Sequence, residues 1–221
     1  MQRRSKVKGE GFEKSLMAEQ GNLYVIAAPS GTGKTSLVKA LVDSIAGITV
    51  SISHTTRAKR PNETHGINYY FIPKAEFEGM IADGEFLEHA TIFDNLYGTS
   101  KSWVEQTLAQ GTDVILEIDW QGHQQIKRLF PKTISIFILP PSLNDLRERL
   151  IKRNQDHPDI IKKRLADVQA TIPHLYEFDY LLINDNFDKA LQDLVLIVES
   201  GRLLQVRQAA KYAQLIEGLE L

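Results

Sequence analysis

The sequence predicts an α/β fold in which helices cover both faces of a parallel sheet. Five short apolar runs, rich in β-branched and aromatic residues, alternate with stretches that have the apolar period of a helix. A loop that ends in Gly-Lys-Thr joins the first run to the first helical stretch. A long polar segment later interrupts the alternation. These observations predict a parallel core, a phosphate-binding loop after its first strand, and a strand-rich insertion.

The core elements follow from these runs in chain order. The predicted strands are Leu23–Ala27, Ile48–Ser53, Val114–Ile118, Ile134–Leu139 and Tyr180–Ile183. The predicted helices are Lys34–Ile45, Ser102–Ala109, Gln121–Leu129, Asn144–Arg153, Ile160–Thr171 and a long closing helix from about Asp188. Residues 1–20 begin with basic side chains but have no apolar stretch behind them. We therefore expect a flexible arm there, and no secretory signal.

The insertion between the second and third core strands has its own pattern. A polar segment leads to the strand-like run NYYFI, a short helix opened by Pro73, and the run EFLEHATIF. A turn at Asp94-Asn95 and the run LYGTS complete it. This pattern predicts a small subdomain over residues 54–100.

Composition narrows the possible partners and chemistry. The 221 residues carry 26 Lys plus Arg against 28 Asp plus Glu, a formal net charge of −2, so no overall attraction to nucleic acid or to an anionic membrane is built in. The chain has no cysteine, which excludes disulfides, thiolate metal sites and cysteine nucleophiles and is consistent with a cytoplasmic location. We expect neither a nucleic-acid nor a membrane partner, and the sequence leaves the oligomeric state open.

The loop after the first predicted strand has the residues of a nucleotide phosphate site. Glycines allow successive backbone N–H groups to point at phosphate oxygens, and the helix N-terminus adds its partial positive charge. Lys34 is placed to reach the β- and γ-phosphates, and the Thr35 hydroxyl suits a Mg²⁺ ion held with ATP. Ala28 stands where such loops usually have their first glycine, and we expect it to fit in extended backbone. The predicted ATP-binding residues here are Ala28, Pro29, Ser30, Gly31, Thr32, Gly33, Lys34, Thr35 and Ser36.

At this point several segments together resemble one known family. The segments SHTTRAKRPNETHGINYYF, FLEHA, LYGTS, EIDWQG and INDNFD are similar, in order and spacing, to the signatures of guanylate kinases. The resemblance implies transfer of the ATP γ-phosphate to GMP or dGMP on a P-loop kinase core, with a GMP-binding insertion and a helical lid. It divides the chain into an arm at 1–20, core at 21–53, GMP-binding subdomain at 54–100, core at 101–146, lid at 147–167, and core with the C-terminal helix at 168–221.

The resemblance also implies a GMP site, and the residue chemistry agrees with it. Guanidinium forks and phenolic hydroxyls suit the phosphate oxygens of a monophosphate. A carboxylate at Glu88 matches the adjacent N1–H and 2-amino donors of guanine, whereas adenine presents a bare acceptor nitrogen there. The implied GMP-binding residues are Ser53, Arg57, Arg60, Glu63, Tyr69, Glu88, Tyr97, Thr99, Glu117 and Asp119.

Two carboxylates are expected to point from one buried strand toward this site. Glu117 and Asp119 are one residue apart, so both would face the same side at the carboxyl end of the strand. The family more often has Asp at the first position, and Glu117 is one methylene longer.

A basic stretch matches the family lid. Between Arg147 and Arg164, seven cationic side chains face three carboxylates, and the resemblance assigns Arg149, Arg153 and Arg164 to the transferring phosphoryl group. With Lys34 and Arg57, these arginines form the expected catalytic set. Asn154 stands where the family usually has Gly. Asn184, after the last strand, resembles an ATP-binding residue on the adenine side.

Other interpretations of these residues stay open from sequence alone. Arg57 and Arg60 in isolation would be a solvated surface pair, the lid lysines a solvated helix face, and Asn184 part of a helix-capping turn. At the level of function, the alternatives are a non-catalytic guanylate-kinase-like module that binds a phosphopeptide, or a P-loop kinase for another small phosphate acceptor. The Gly-Lys-Thr loop and the lid arginines argue against the first, and Glu88 with Thr99 argues against adenylate.

Overall fold

A computed structural model of the chain describes residues 20–152 and 158–219. The predicted arm, except Gln20, lies outside the described residues, as do Arg153 and Asn154. The strands are β1 Leu23–Ala27, β2 Ile48–Val50, β3 His54–Thr55, β4 Tyr70–Phe71, β5 Phe86–Ile92, β6 Asn95–Ser100, β7 Asp113–Leu116, β8 Ile134–Leu139 and β9 Tyr180–Ile183. The helices are α1 Lys34–Ser44, α2 Lys74–Ala82, α3 Lys101–Ala109, α4 Trp120–Leu129, α5 Leu143–Lys152, α6 Pro158–Thr171, α7 Phe187–Arg202, α8 Gln205–Lys211 and α9 Ala213–Leu219, with a 3₁₀ helix at Ile172–Glu177.

The core is a five-stranded parallel sheet in the order β2-β7-β1-β8-β9. Along β1, Tyr24 and Ile26 point to one face and pack with α1 and α7, whereas Leu23 and Val25 point to the other face and pack with α3 and α4. Both sides of the strand are therefore buried, which explains its unbroken apolar sequence. The predicted α/β class, with helices on both faces, is confirmed.

The insertion forms a second sheet of four strands in the order β4-β3-β6-β5. Strand β3 pairs parallel with β4 and antiparallel with β6, and β6 pairs antiparallel with β5. The Phe77 ring of α2 stacks on Phe86 of β5 at 4.5 Å. Both rings press on Gly98, where an added Cβ would lie 2.8 Å from Phe86. The insertion thus has apolar packing of its own.

A small helical cluster lies over the end of the core sheet. Helices α5 and α6 pack through Leu146, Leu150 and Val168. An added Cβ on Gly31, in the loop after β1, would lie 2.8 Å from Leu150. The helices of the predicted lid therefore rest on the predicted phosphate loop.

The structure differs from the sequence prediction at several places. The run Ile48–Ser53 is a strand only to Val50, after which the chain crosses into the second sheet. The turn at the end of β5 uses Phe93 and Asp94, because Ile92 pairs with Asn95. The expected single closing helix is three helices, since Leu203 and Leu204 separate α7 from α8 and Tyr212 separates α8 from α9. Among the residues the structure describes, no helix is long and apolar enough to cross a membrane.

Candidate active site

The candidate site lies at the carboxyl ends of two neighbouring core strands. The phosphate loop (residues 28–35) follows β1, and Glu117 to Asp119 follow β7, which pairs with β1. Parallel α/β sheets bind ligands at this edge. The chain after β2 continues into the insertion, so the second sheet begins beside the same edge. The topology therefore brings three predicted groups of site residues to one end of the molecule.

The loop has the backbone shape that phosphate binding requires. Gly31 and Gly33 have φ of +97° and +93°, left-handed values that strain other residues. Ala28 does not have a positive φ, so alanine is compatible with its position. Gly33 is the N-cap of α1 and has no side chain with which to cap the helix. The first N–H groups of α1 are thus left for an anion.

Lys34, near the end of the loop, is close enough to the two carboxylates after β7 to be affected by their charge. Burial lowers the pKa of Lys34 from its ordinary value, and the charges of Glu117 and Asp119 act in the opposite direction. Thr35 and Ser36 are exposed. The loop therefore presents an amine, hydroxyls and helix N–H groups together.

Two of the predicted lid arginines contact the loop directly. Arg149 donates from one guanidinium nitrogen to the Thr32 carbonyl at 3.2 Å and from the other to the Asn184 carbonyl at 2.9 Å. Arg164 donates to the Ser30 hydroxyl at 2.8 Å. Arg153 lies outside the described residues.

In the insertion, Glu63 connects the two predicted phosphate-binding arginines. Arg57 donates to one oxygen of Glu63 at 2.6 Å, and the Arg60 backbone N–H donates to the other at 2.9 Å. Burial would raise the pKa of Glu63, but the hydrogen bonds from Arg57 and Arg60 hold it below its ordinary value. Glu63 is thus an ionised anchor for Arg57, and its side chain is only 14% exposed.

Two predicted tyrosines stand beside Arg57. The Tyr69 and Tyr97 rings meet edge to face at 5.9 Å, and the Arg57 guanidinium lies 5.5 Å from the Tyr69 ring centre. Burial, with smaller contributions from Tyr97 and Glu117, raises the pKa of Tyr69 to about 12. Its hydroxyl therefore stays protonated and able to donate at neutral pH. The structure brings together all the residues predicted for the GMP phosphate.

The predicted base-reading residues form a separate buried pair. The Thr99 hydroxyl of β6 donates to Glu88 of β5 at 2.6 Å, and Glu88 is 4% exposed. Burial raises the pKa of Glu88 to about 7; the Thr99 hydrogen bond lowers it and the charge of Asp119 raises it. Ser53 directly precedes β3 and is partly buried, and its carbonyl accepts from the Tyr70 N–H at 2.9 Å. No hydrogen bond of the Ser53 side chain is found within the described parts of the chain.

Glu117 and Asp119 do not lie where the sequence predicts them. Strand β7 ends at Leu116, so Glu117 and Asp119 follow the strand and do not lie on it. Asp119 is the N-cap of α4 and accepts from the Gly122 N–H at 2.9 Å. One buried oxygen of Glu117 has no hydrogen-bond partner among the residues described. Asp119 thus has a capping role, whereas Glu117 keeps an acceptor for a ligand.

Sequence reasoning missed the part of α4 that supports Glu88. The Gln125 side chain accepts from the His89 N–H at 3.2 Å and donates to the His89 carbonyl at 2.8 Å. An added Cβ on Gly122 would lie 2.6 Å from Glu88. The motif EIDWQG contains this glycine, but its contact with β5 depends on how the core and the insertion meet in space.

Comparison with known proteins identifies relatives over most of the chain. A family model described as guanylate kinase matches residues 20–201. The chain is 54% identical over 200 residues to a guanylate kinase of Coxiella burnetii, covering 90% of this chain and 97% of the relative. It is 54% identical over 203 residues to a guanylate kinase of Alcanivorax borkumensis, covering 92% and 98%. A crystal structure of guanylate kinase from Anaplasma phagocytophilum matches with a TM-score of 0.73 and 30% identity, covering 86% of this chain and 90% of that one.

Proposed function

The chain belongs to the guanylate kinase family and is an ATP:GMP phosphotransferase, and we propose that the site at the carboxyl ends of β1 and β7 carries out this reaction. The family and reaction predicted from sequence are confirmed, which answers the alternatives of a peptide-binding module and a different kinase. The assignment of this site rests on the buried Glu88–Thr99 pair. The pair lies in the insertion, and the phosphate loop of the core is on the other side of the site.

GMP, or dGMP, binds to the insertion in this proposal. The phosphate is held by Arg57, Arg60, Tyr69 and Tyr97, because guanidinium forks and phenol hydroxyls all donate to phosphate oxygens. Glu63 fixes the direction of Arg57 through its 2.6 Å hydrogen bond. The ionised Glu88 accepts from guanine N1–H and the 2-amino group, with Ser53 just before β3 and Thr99 on β6 nearby. Glu117 and Asp119 lie between this half and the loop.

ATP binds to the phosphate loop. Phosphoryl transfer requires the protein to position the two nucleotides rather than to form a covalent bond with either of them. An oxygen of the GMP phosphate attacks the γ-phosphorus in line; that O–P bond forms while the bond to the bridging oxygen of ADP breaks. No dedicated base is needed because a phosphate monoester is mostly ionised near neutral pH. Lys34 and the arginines at positions 57, 149, 153 and 164 stabilise charge on the moving phosphoryl oxygens. Lid closure excludes water, which would otherwise accept the phosphoryl group.

The donors at the loop fit Mg²⁺ bound together with ATP. Mg²⁺ prefers oxygen ligands, and the exposed Thr35 hydroxyl and the unpartnered Glu117 oxygen are both of that type. Within residues 20–152 and 158–219, no group of three or more acidic or histidine side chains could hold a metal ion. We therefore place Mg²⁺ with the phosphates of ATP, where it would neutralise charge on the β- and γ-oxygens. We further propose a cytoplasmic enzyme whose partners are its two nucleotide substrates.

Replacing Lys34 tests the loop assignment. In a coupled assay of ADP release from ATP and GMP, Lys34→Ala should lower kcat at least about 100-fold, because the amine that offsets charge on the β- and γ-phosphates is lost. Lys39→Ala is the matched control, since Lys39 is an exposed lysine on the same helix, and it should keep wild-type kinetics. Unchanged turnover in Lys34→Ala would refute the assignment of ATP to this loop.

A further inference from the structure

We propose that Asn184 is a positioning residue for ATP: its side chain holds the Thr32–Gly33 peptide of the phosphate loop so that the Gly33 N–H faces the phosphates. This inference rests on the proposed ATP site and replaces the adenine-side role that the sequence suggests for Asn184. A residue that acts through the loop affects every ligand with a phosphate chain, whatever base the ligand carries.

The first support is that Asn184 is fixed on both of its sides. The Asn184 backbone N–H donates to the Leu139 carbonyl at 2.8 Å, which extends the pairing of β9 with β8. Its side-chain amide donates to the Thr32 carbonyl at 2.7 Å, and the residue is only 5% exposed. A buried amide with one short hydrogen bond, held by the core sheet, is a rigid support for the loop.

The second support is the direction of the peptide itself. A trans peptide is planar, so its carbonyl and its N–H point in opposite directions, and the described chain has no cis peptide bonds. The Thr32 carbonyl receives Asn184 at 2.7 Å and Arg149 at 3.2 Å, which occupies both of its lone pairs. The Gly33 N–H of the same peptide therefore points away from these two donors, toward the side on which the loop binds anions.

The third support is the close contact between Asn184 and Gly33. An added Cβ on Gly33 would lie 2.7 Å from the Asn184 amide nitrogen. Gly33 has φ of +93°, a backbone state that glycine adopts without strain but that it leaves as readily, because it has no Cβ. The Asn184 amide lies directly against Gly33, so it restrains the loop at a residue whose backbone is otherwise free to change conformation.

The same residue also connects the loop to the lid. The Asn184 carbonyl accepts from Arg149 at 2.9 Å, while the other guanidinium nitrogen of Arg149 bonds to Thr32. Asn184, Thr32 and Arg149 thus form a closed triangle of hydrogen bonds. Loss of the Asn184 amide removes one side of this triangle and loosens both the loop and the arginine.

Asn184→Leu tests the proposal, because leucine has a similar shape but no donor and no charge. The KM for ATP should rise about tenfold, the effect of one buried hydrogen bond, while the KM for GMP stays within about twofold. Asn184→Ala removes the amide without crowding the loop, and it should give the same pattern. The control is Gln208→Leu, which removes a comparable amide bond to the Arg202 carbonyl at 2.8 Å, far from the loop.

Calorimetric titration with ATP and with inorganic tripolyphosphate distinguishes support of the phosphate loop by Asn184 from a direct contact of Asn184 with adenine. Tripolyphosphate has no base, so a residue acting through the loop should weaken both ligands by the same factor. Weaker ATP binding with unchanged tripolyphosphate binding would mean a contact with adenine and would overturn the proposal. Unchanged binding of both ligands, or a lower melting temperature as the only effect, would overturn it as well. These titrations need no turnover, so they are independent of whether the chain phosphorylates GMP.

Discussion

Two glutamates of the insertion, Glu63 and Glu88, have opposite electrostatic states although their side chains are identical. Hydrogen bonds from Arg57 and Arg60 outweigh burial and hold the pKa of Glu63 below its ordinary value. Glu88 is buried beside Thr99, with no cation among the described residues paired to it, and burial raises its pKa to about 7. The sequence could identify both residues through the family resemblance. It could not predict the raised pKa of Glu88, which depends on burial and on Thr99 of β6 and Asp119 before α4, whereas the cations beside Glu63 lie within six residues of it.

The raised pKa of Glu88 predicts that GMP binding depends on pH. Guanine presents two donors, so it binds the ionised carboxylate, and binding requires Glu88 to release its proton. GMP affinity should therefore increase about tenfold from pH 6 to pH 8, as the ionised fraction of a group with pKa about 7 increases. Calorimetry over this range measures the effect.

Glu88→Gln provides the control for this titration. The GMP phosphate titrates near the same range, but it does so in both proteins, so the difference between them reports Glu88. Parallel pH profiles in the two proteins would contradict the role of Glu88. In free wild-type protein the folded state holds this proton more tightly than the unfolded chain, so the contribution to stability decreases as pH rises from about 4.5 to about 7.

At the scale of elements, the turn between β5 and β6 carries backbone strain. Phe93 and Asp94 have φ of +46° and +65°, values that favour Asn and Gly in a two-residue hairpin turn. The sequence prediction placed this turn one residue later, at Asp94-Asn95, because asparagine and aspartate are the usual turn residues. The pairing of Ile92 with Asn95 sets the turn instead. Packing of β5 and β6 on the rest of the insertion therefore overrides the local preference.

Phe93→Asn should stabilise the protein because asparagine tolerates the left-handed backbone better than phenylalanine. We expect about 1 kcal/mol, which corresponds to a Tm increase of about 2–4 °C for a chain of this size. Differential scanning calorimetry checks the shift. Phe93→Ala removes the same half-exposed ring without relieving the backbone, so an equal increase in that variant would refute the explanation by strain.

At the scale of the whole molecule, strand β7 has a structural ion cluster at one end and site residues beyond the other. Asp113, the first residue of β7, is fully buried. It accepts from the Asn22 N–H at 2.7 Å and pairs with Arg202 and Arg207. The cluster joins α7 and α8 to the sheet on the side away from the phosphate loop.

This cluster also explains why the predicted closing helix was wrong. On one continuous helix, Arg202 and Arg207 would point about 140° apart and could not share a carboxylate. The break at Leu203 and Leu204 turns both toward Asp113. Apolar runs predicted the five core strands, with errors at the ends of β2 and β7, and helical periodicity predicted α1 and α3 to α6, because these are local patterns. The C-terminal break depends on a contact with a residue about 90 positions earlier, which periodicity cannot detect.

Asp113→Ala should destabilise the fold without changing the chemistry. It leaves two guanidinium groups at a buried site without their carboxylate, so we expect a loss of about 3 kcal/mol and a Tm decrease of about 6–12 °C. At 25 °C the KM values for ATP and GMP should stay within about twofold, since the cluster is at the opposite edge of the sheet. Exposed Glu105→Ala is the control for loss of a carboxylate. A normal Tm would refute the structural role of Asp113.

The measurement that tests the central claim most directly is ADP formation from ATP with GMP, AMP, CMP and UMP as separate acceptors. For wild-type protein, GMP should exceed AMP in kcat/KM by at least about 1,000-fold, because Glu88 accepts from the two guanine donors that adenine lacks. In Glu88→Gln this ratio should fall, mainly through a higher KM for GMP. Equal use of AMP and GMP by the wild-type protein, or an unchanged ratio in Glu88→Gln, would contradict the assignment of the insertion as a guanine-reading site.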